Sequence, residues 1–172
     1  MKKLQLFMFG ALVIANASVF LNTSFAQEPI KNSVQTEENN CHSFAWNLAA
    51  AQKGDAQTQY DLGMMYLNGD DVKVDNKQAI NWLKVSSQQN NVEAAYHLAA
   101  MSERGIAMTQ NDKEAFQWYL KAAELGHAKA QYKVADAYLS GTGVEPNEVF
   151  AKQWFSKSAT QGNLMSQAYL KQ

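Results

Sequence analysis

The chain has 172 residues, a formal net charge of −1 and a hydrophobic fraction of 47%. This length suits a single folded domain, and a mildly acidic chain lacks the basic surface that nucleic acid or an anionic membrane attracts. Cys41 is the only cysteine, so the fold must be held by packing rather than by internal disulfides. We expect Cys41 to be a free thiol at the start of a helix, with an intermolecular disulfide as the alternative.

Residues 1–26 have the pattern of a secretory signal peptide. A basic start is followed by a mostly apolar run over residues 4–20, and Ser24 and Ala26 place small residues before a cleavage site. Cleavage after Ala17 is the alternative. Polar residues interrupt the apolar run before it reaches the ~20 residues that a membrane span needs. We therefore predict export to the periplasm or beyond in a Gram-negative bacterium, with no membrane insertion after cleavage.

Residues 27–40 are polar and show no apolar period, which predicts a flexible leader. From residue 41 to the end, the sequence repeats with a period of 36 residues and no insertion or deletion. Tyrosines, glycines, alanines and leucines keep this spacing, and so do the four tryptophans: Trp46, Trp82, Trp118 and Trp154. A repeat of this length indicates one supersecondary unit stacked on copies of itself.

Each period is predicted to hold two helices. In the copy over 55–90, apolar or small residues at i, i+4, i+7 and i+11 predict a first amphipathic helix near 56–67. Asp55 is placed to cap its start, and Gly69 to end it in the left-handed conformation. The second helix is predicted to begin after Asp75, in an arrangement close to a capping box with Gln78.

The same pattern predicts eight helices between residue 41 and the end, beginning and ending on half-units. First-type helices are expected near 56–67, 92–103, 128–139 and 164–171, and second-type helices near 41–53, 76–89, 112–125 and 148–161. The predicted N-caps of the second-type helices are Asn39, Asp75, Asn111 and Asn147. The repeated tryptophans, tyrosines and glycines are interpreted as core or cap residues.

The repeated motif carries a family resemblance. It reads Ala-x3-Tyr-x-Leu-Gly-x2-Tyr-x2-Gly from Ala56, followed by Ala79-x2-Trp82, and a later copy has Gly141-Thr142-Gly143 in its loop. Over residues 41–172 this motif resembles the Sel-one-like repeat, a relative of the tetratricopeptide repeat. The resemblance implies an all-α, right-handed α-α superhelical solenoid whose first helices line a concave face, and a role as adaptor or binding scaffold.

Two departures from the family motif are visible. Asp71 and Ala107 stand where the loop has its second glycine, which is expected to loosen the middle repeats locally. The cysteine pairs of a bacterial branch linked to β-lactam binding or hydrolysis are missing, since Cys41 stands alone.

No catalytic, cofactor or metal motif is recognisable in the sequence. His42, His97 and His127 are not spaced at i, i+3 or i+4 from one another or from Cys41, as a metal-binding helix face requires. Asp70-Asp71 is not followed by the alternating oxygen ligands of a calcium loop. We therefore predict no catalytic residues, no cofactor and no bound metal.

Residues that the repeats do not preserve are the candidates for binding specificity. On the first-type helices most of them follow two phases, i and i+4, that pass from acidic or neutral to basic along the array. Met64 and Asp136 extend the set by one turn, and Arg104 lies at a helix end beside it. We call this set the variable strip: Gln57, Asp61, Met64, Glu93, His97, Arg104, Lys129, Lys133, Asp136 and Tyr169. Such a strip would set the register of a protein partner by charge, with His97 making binding pH-sensitive. Reversing Lys129 and Lys133 to glutamate is expected to abolish capture without unfolding.

The sequence therefore predicts a monomeric, non-catalytic protein-binding scaffold in the periplasm or cell envelope. One alternative is an immunity or inhibitor protein that neutralises a secreted toxic enzyme. The other is an enzyme acting on cell-wall or β-lactam substrates, as in the cysteine-rich branch.

Overall fold

A computed structural model describes the backbone of residues 33–171 and the side chains of residues 43–171; the predicted signal peptide lies outside these residues. The described part contains eight α-helices and no strand. They are α1 (Ser33–Gln52), α2 (Ala56–Asn68), α3 (Asn76–Gln88), α4 (Val92–Arg104), α5 (Asp112–Glu124), α6 (Ala128–Ser140), α7 (Glu148–Thr160) and α8 (Leu164–Tyr169). The prediction of an all-α fold is confirmed.

The helices pack in chain order, each mainly against its neighbours in sequence, with the pairs α2–α3, α4–α5 and α6–α7 most closely associated. Each of these pairs spans one period and forms one layer of the stack. Among residues 33–171, no helix combines the length and the apolar content needed to cross a bilayer.

The first helix differs from its prediction. It begins at Ser33 rather than near residue 41, so residues 33–40 of the predicted flexible leader are helical. Asn39, predicted as an N-cap, and Cys41, predicted near a helix start, both lie inside α1. The physical reason is that extending an existing helix costs little once its later turns are held by packing, even where no apolar stripe marks the extension.

The caps of the first-type helices agree with the sequence pattern. Asp55, Asn91, His127 and Asn163 each accept a hydrogen bond from a backbone N–H in the first turn of the following helix. The glycines that follow α2, α4 and α6 have φ values of 82°, 66° and 79°, the left-handed region that a side chain disfavours. Asn90 takes the same conformation, with φ of 64°.

The second-type helices begin with a contact that the sequence did not predict. The backbone N–H of Asp75 donates to the carbonyl of Tyr66 at 3.0 Å, and Asn111 and Asn147 do the same to the preceding helix. These N–H groups are therefore not free for the side chain three residues on, so the reciprocal half of the predicted capping box does not form. The loop is tied back onto the first helix of its own repeat instead.

Asp71 and Ala107 keep the loop geometry despite lacking the motif glycine. Their φ values are 58° and 63°, close to the 73° of Gly143 at the equivalent position. The expected loosening is therefore not visible as a change of backbone conformation, although left-handed φ at a residue with a Cβ costs about 1–2 kcal/mol.

Three of the four tryptophans pack against the preceding layer. Trp82 contacts the cluster of Ala51, Leu62 and Met65, and Trp118 and Trp154 pack in the same way one and two periods later. Trp46 contradicts the prediction that every tryptophan is core, because it is 68% exposed. The described residues contain no helix ahead of α1 on which Trp46 could pack.

Hydrogen-bonded glutamine pairs occur at every second interface between layers. Gln131 is buried; its side-chain amide donates to the carbonyl of Ala123 at 3.1 Å and its oxygen accepts from Gln161 at 2.7 Å. Gln89 and Gln59 repeat the glutamine-to-glutamine bond at 2.7 Å two periods earlier. In the period between them, the equivalent positions are Ala95 and Leu125. Equivalent positions at these interfaces are thus polar in two periods and apolar in the period between them.

This alternation predicts strong coupling between Gln131 and Gln161. Gln131→Ala should cost about 1–3 kcal/mol because buried hydrogen bonds are lost, and Gln161→Leu should cost a similar amount because it leaves a buried acceptor unpaired. The double variant, which copies the Ala95 and Leu125 pair, should cost less than the sum by about 0.5–3 kcal/mol. Urea unfolding monitored by circular dichroism measures all three, with exposed Gln153→Ala as the control. Additive costs would contradict the coupling.

Candidate functional site

The variable strip lies entirely on first-type helices. Its members on α2, α4, α6 and α8 are exposed or half-buried, and none is fully buried. Exposure is greatest at Gln57, Glu93, Arg104, Lys129 and Asp136. The repeated residues beside them, such as Leu62, Leu98 and Val134, have no exposed surface. The strip is therefore available to a partner in the described part of the chain.

At both ends of the strip, side chains are held by contacts with neighbouring residues. On α2, Gln57 donates to Asp61 at 2.9 Å across one helical turn. On α8, the Tyr169 ring stacks on Phe155 with centroids 4.1 Å apart. These contacts hold both side chains close to the helix surface.

The centre of the strip is an aromatic and histidine cluster. The Tyr96 ring lies 4.4 Å from the His127 ring in a tilted arrangement and meets His97 edge-on at 6.1 Å, and the Tyr60 ring lies 5.7 Å from that of His97. Glu93 lies 3.6 Å from Nε2 of His127. The cluster therefore joins α2, α4 and the start of α6 into one surface.

Both histidines of this cluster titrate below their usual range. Burial lowers the pKa of His97, and the nearby carboxylate of Glu93 opposes the shift only in part. Burial also lowers the pKa of His127; Glu93 opposes this, while Lys129 and His97 lower the pKa further. The neutral rings are favoured in the fold, which suits His127 because its Nδ1 must accept the Ala130 N–H to cap α6.

Beyond the histidines, Lys133 belongs to a three-residue network. Its ammonium donates to one oxygen of Glu103 at 2.7 Å, and the Tyr119 hydroxyl donates to the other oxygen at 2.8 Å. Burial alone would raise the pKa of Glu103, but these two hydrogen bonds and the charge of Lys133 outweigh it and lower the pKa. Burial and the bonded carboxylate raise the pKa of Tyr119, so its phenol remains a donor.

This network corrects one expectation about Lys133. Reversing its charge would place a carboxylate against Glu103, which is itself half-buried and already hydrogen-bonded to Tyr119. Such a variant would destabilise the fold as well as alter the surface. Lys129, which is exposed and forms no salt bridge within the described residues, is the lysine whose reversal tests binding alone.

A cleft of about 160 Å³ opens beside the network. Its walls come from α4, α5, α6 and the loop after α6: Glu103, Asp112, Ala115, Phe116, Tyr119, Lys133, Asp136, Ala137 and Thr142. The loop packs closely against the start of α5: a Cβ at Gly143 would overlap the carbonyl oxygen of Asp112. We call this feature the α4–α6 cleft.

Sequence reasoning named two residues of the cleft, Lys133 and Asp136, and missed the others. A signal for two of those was present in the repeat itself. Glu103 stands where the other periods have Leu67 and Leu139, and Tyr119 stands where they have Leu83 and Phe155. One layer thus has a polar network where its neighbours have apolar residues. A difference between periods at core positions is therefore the signal that indicates Glu103 and Tyr119.

The described residues offer no metal centre. No group of three or more histidine, cysteine, aspartate or glutamate residues between 43 and 171 is arranged to hold an ion. The carboxylates of the α4–α6 cleft therefore do not form a set of metal ligands. That the whole chain binds no metal and no cofactor stays a prediction.

The chain matches the Sel1 repeat family over residues 56–91, 92–127 and 128–163, together more than half of its length. Each matched segment holds one first-type and one second-type helix, α2–α3, α4–α5 and α6–α7. No curated protein matches the chain in sequence.

Three solved structures are similar to this fold. The Sel1 repeat protein from Oxalobacter formigenes is 30% identical, with a TM-score of 0.67 over 80% of this chain and 96% of that one. The protective antigen c5321 of uropathogenic Escherichia coli is 33% identical, with a TM-score of 0.70; the match covers 76% of this chain but 28% of the antigen. Cysteine-rich protein B of Helicobacter pylori is 16% identical, with a TM-score of 0.59 over 77% and 96%, which shows a shared fold alone.

The lowered pKa of His127 predicts that the fold weakens in mild acid. Its contribution to stability should be complete above its usual pKa of 6.5 and decline as the pH falls below it toward the folded value, since the unfolded chain takes up the proton first. His127→Asn keeps a cap of the kind found at Asn91 and should reduce this decline. Urea unfolding between pH 7.5 and 5 measures it.

His97→Gln removes the neighbouring histidine without touching a cap, and it should also reduce the decline because burial lowers the pKa of His97 too. Each variant loses an aromatic contact with Tyr96, so its decline is measured relative to its own stability at pH 7.5, where neither ring is charged. A decline with pH that is unchanged in both variants would contradict a role for this cluster in acid sensitivity.

Proposed function

Because this chain belongs to the Sel1 repeat family, whose members generally mediate protein–protein interaction, we propose that it is a non-catalytic scaffold that binds one protein partner through the variable strip. The observation that carries this proposal is the division between repeated and unrepeated residues. Repeated positions such as Leu62, Leu98 and Val134 on the first-type helices are buried, whereas the unrepeated positions of the strip are exposed or half-buried and differ in charge from layer to layer.

The charge order along the strip supports recognition of a partner in one orientation. Glu93 and Asp61 lie toward the N-terminal layers, and Lys129 lies one layer further on. A partner with the opposite order would be steered into one register, because complementary charges favour correct encounters and like charges disfavour wrong ones. The aromatic cluster between the two charged regions offers apolar contact at the centre, where binding energy concentrates in interfaces.

The proposed place of action is the periplasm or cell envelope of a Gram-negative bacterium. The support is the basic start, the apolar run and the small residues before the predicted cleavage site in residues 1–26. On this basis the partner is another exported protein.

Affinity capture tests the scaffold proposal. The chain without residues 1–26, immobilised and exposed to periplasmic extract of its own host, should retain one protein at a near-stoichiometric ratio, identified by mass spectrometry. Glu93→Lys and Lys129→Glu should each weaken binding of that protein about tenfold or more, because each places a like charge against the complementary group of the partner. Calorimetry with the purified partner measures the change.

Lys77→Glu is the matched control, since Lys77 is exposed on the second-type helix α3 and forms no salt bridge in the described residues. Circular dichroism should show that all three variants remain folded. Equal loss of binding in the control, or turnover of a substrate by the chain alone, would contradict a non-catalytic scaffold acting through the strip. Rescue of cells from a captured toxic enzyme would identify the scaffold as an immunity protein.

A further inference from the structure

More acidic than basic residues line the α4–α6 cleft. The acidic ones are Glu103, Asp112 and Asp136, and the one basic residue is Lys133. Lys133 is paired with Glu103. Neither Asp112 nor Asp136 forms a salt bridge with any residue between 43 and 171. The cleft is therefore complementary to a cation that enters from outside.

Aromatic surface adjoins these carboxylates. Phe116 and Tyr119 are only 9% and 5% exposed, yet both line the cleft. Because the face of an aromatic ring carries partial negative charge, it attracts a cation that lies over it. Lys133 already occupies such a position, 5.7 Å from the centre of the Tyr119 ring. The Phe116 ring has no described cation within this kind of contact.

We propose that the α4–α6 cleft is the receptor for an arginine side chain of the protein partner. A guanidinium is planar, so it can lie flat against an aromatic ring while its fork of N–H donors reaches carboxylates at its edge. It is also more weakly hydrated than an ammonium, which lowers the cost of entering a cleft with buried walls. Asp112 and Asp136 are the acceptors, and the Phe116 ring is the stacking surface.

The Glu103–Tyr119–Lys133 network has a positioning role in this proposal. It provides a polar wall in the one matched layer where a leucine or phenylalanine would otherwise fill the space, as Leu67 and Leu83 do one period earlier. Since Glu103 is fully engaged by Tyr119 and Lys133, it does not compete with the two aspartates for the incoming cation.

An anion or a metal ion suits the cleft less well. An anionic side chain would meet more carboxylates than ammonium groups, and the carboxylates do not converge as a metal site among the described residues. The cleft is continuous with the variable strip through Lys133 and Asp136, so a partner seated on the strip could insert a side chain here. The proposal thus rests on the scaffold function, and it adds to that function one specific contact, an arginine side chain of the partner bound in the α4–α6 cleft.

Nuclear magnetic resonance with blocked arginine tests the cleft without the partner. Titration of N-acetyl-arginine amide into the ¹⁵N-labelled chain without residues 1–26 should shift the amide signals of Asp112, Lys133, Asp136 and Thr142 in a saturable way. N-acetyl-lysine amide should bind more weakly. N-acetyl-citrulline amide, which has the same shape without charge, should cause no saturable shift; equal shifts from citrulline would overturn the proposal.

Substitutions then locate the binding site. Asp136→Asn and Asp112→Asn should each weaken arginine binding about tenfold, since each removes a charge-assisted hydrogen bond while keeping the side-chain shape. Asn at position 112 matches Asn76 one period earlier, so folding should be preserved. Asp70→Asn, which removes the same charge from an exposed loop outside the cleft, is the control and should leave binding unchanged. Binding that survives the double variant Asp112→Asn/Asp136→Asn overturns the proposal.

The captured partner separates this proposal from the scaffold function. The double variant should bind the partner at least tenfold more weakly than the wild type. If the partner binds the wild type and the double variant equally, while Lys129→Glu reduces binding, the cleft proposal fails and the scaffold stands. If the wild type captures no protein at all, the scaffold function fails, and the arginine titration still decides the chemistry of the cleft.

Discussion

The packing of each helix pair onto the layer before it is the constraint on which the structure depends. A single helix hairpin cannot bury both of its faces, so each layer needs a neighbour to cover the leucines, alanines and tryptophans that it presents. The effect of an uncovered face is visible at Trp46, which is exposed because no described helix lies ahead of α1, while its three counterparts are packed. The buried repeated residues serve this contact, and the repeated cap residues set its geometry.

Because the layers share one geometry, a change of chemistry at an equivalent position indicates what an individual layer does. The glutamine pairs at the interfaces of α2–α3 with α1 and of α6–α7 with α5 satisfy their own hydrogen bonds and serve packing. The Glu103–Tyr119–Lys133 network also satisfies its own atoms, but it lies beside an open cleft with two unpaired carboxylates. A closed polar network stabilises an interface, whereas an open one with surplus charge offers a binding site.

The predictable part of the fold was the local part. Eight helices, their order and most of their caps follow from residues such as Asp55, Gly69 and Asn90, whose effects act within a few residues along the chain. The start of α1 at Ser33 was missed because helix extension without an apolar stripe leaves no periodic signal. Part of the candidate site was predicted: exposed positions such as Lys129 were found, and walls of the cleft such as Phe116 and Tyr119 were missed.

By itself, the sequence determined the repeat, the helices within it and which residues vary between layers, since these depend on spacing and on local backbone preferences. Only the tertiary structure decided what those variable residues do. It paired Lys133 with Glu103 across thirty residues of chain, placed the Tyr96 ring against that of His127, and left Asp112 and Asp136 without a salt bridge among the described residues. The physical reason is that charge pairing and cavity formation depend on distances between side chains of different helices. The periodic sequence predicts the same helices in every layer, but it does not specify which of their side chains come into contact.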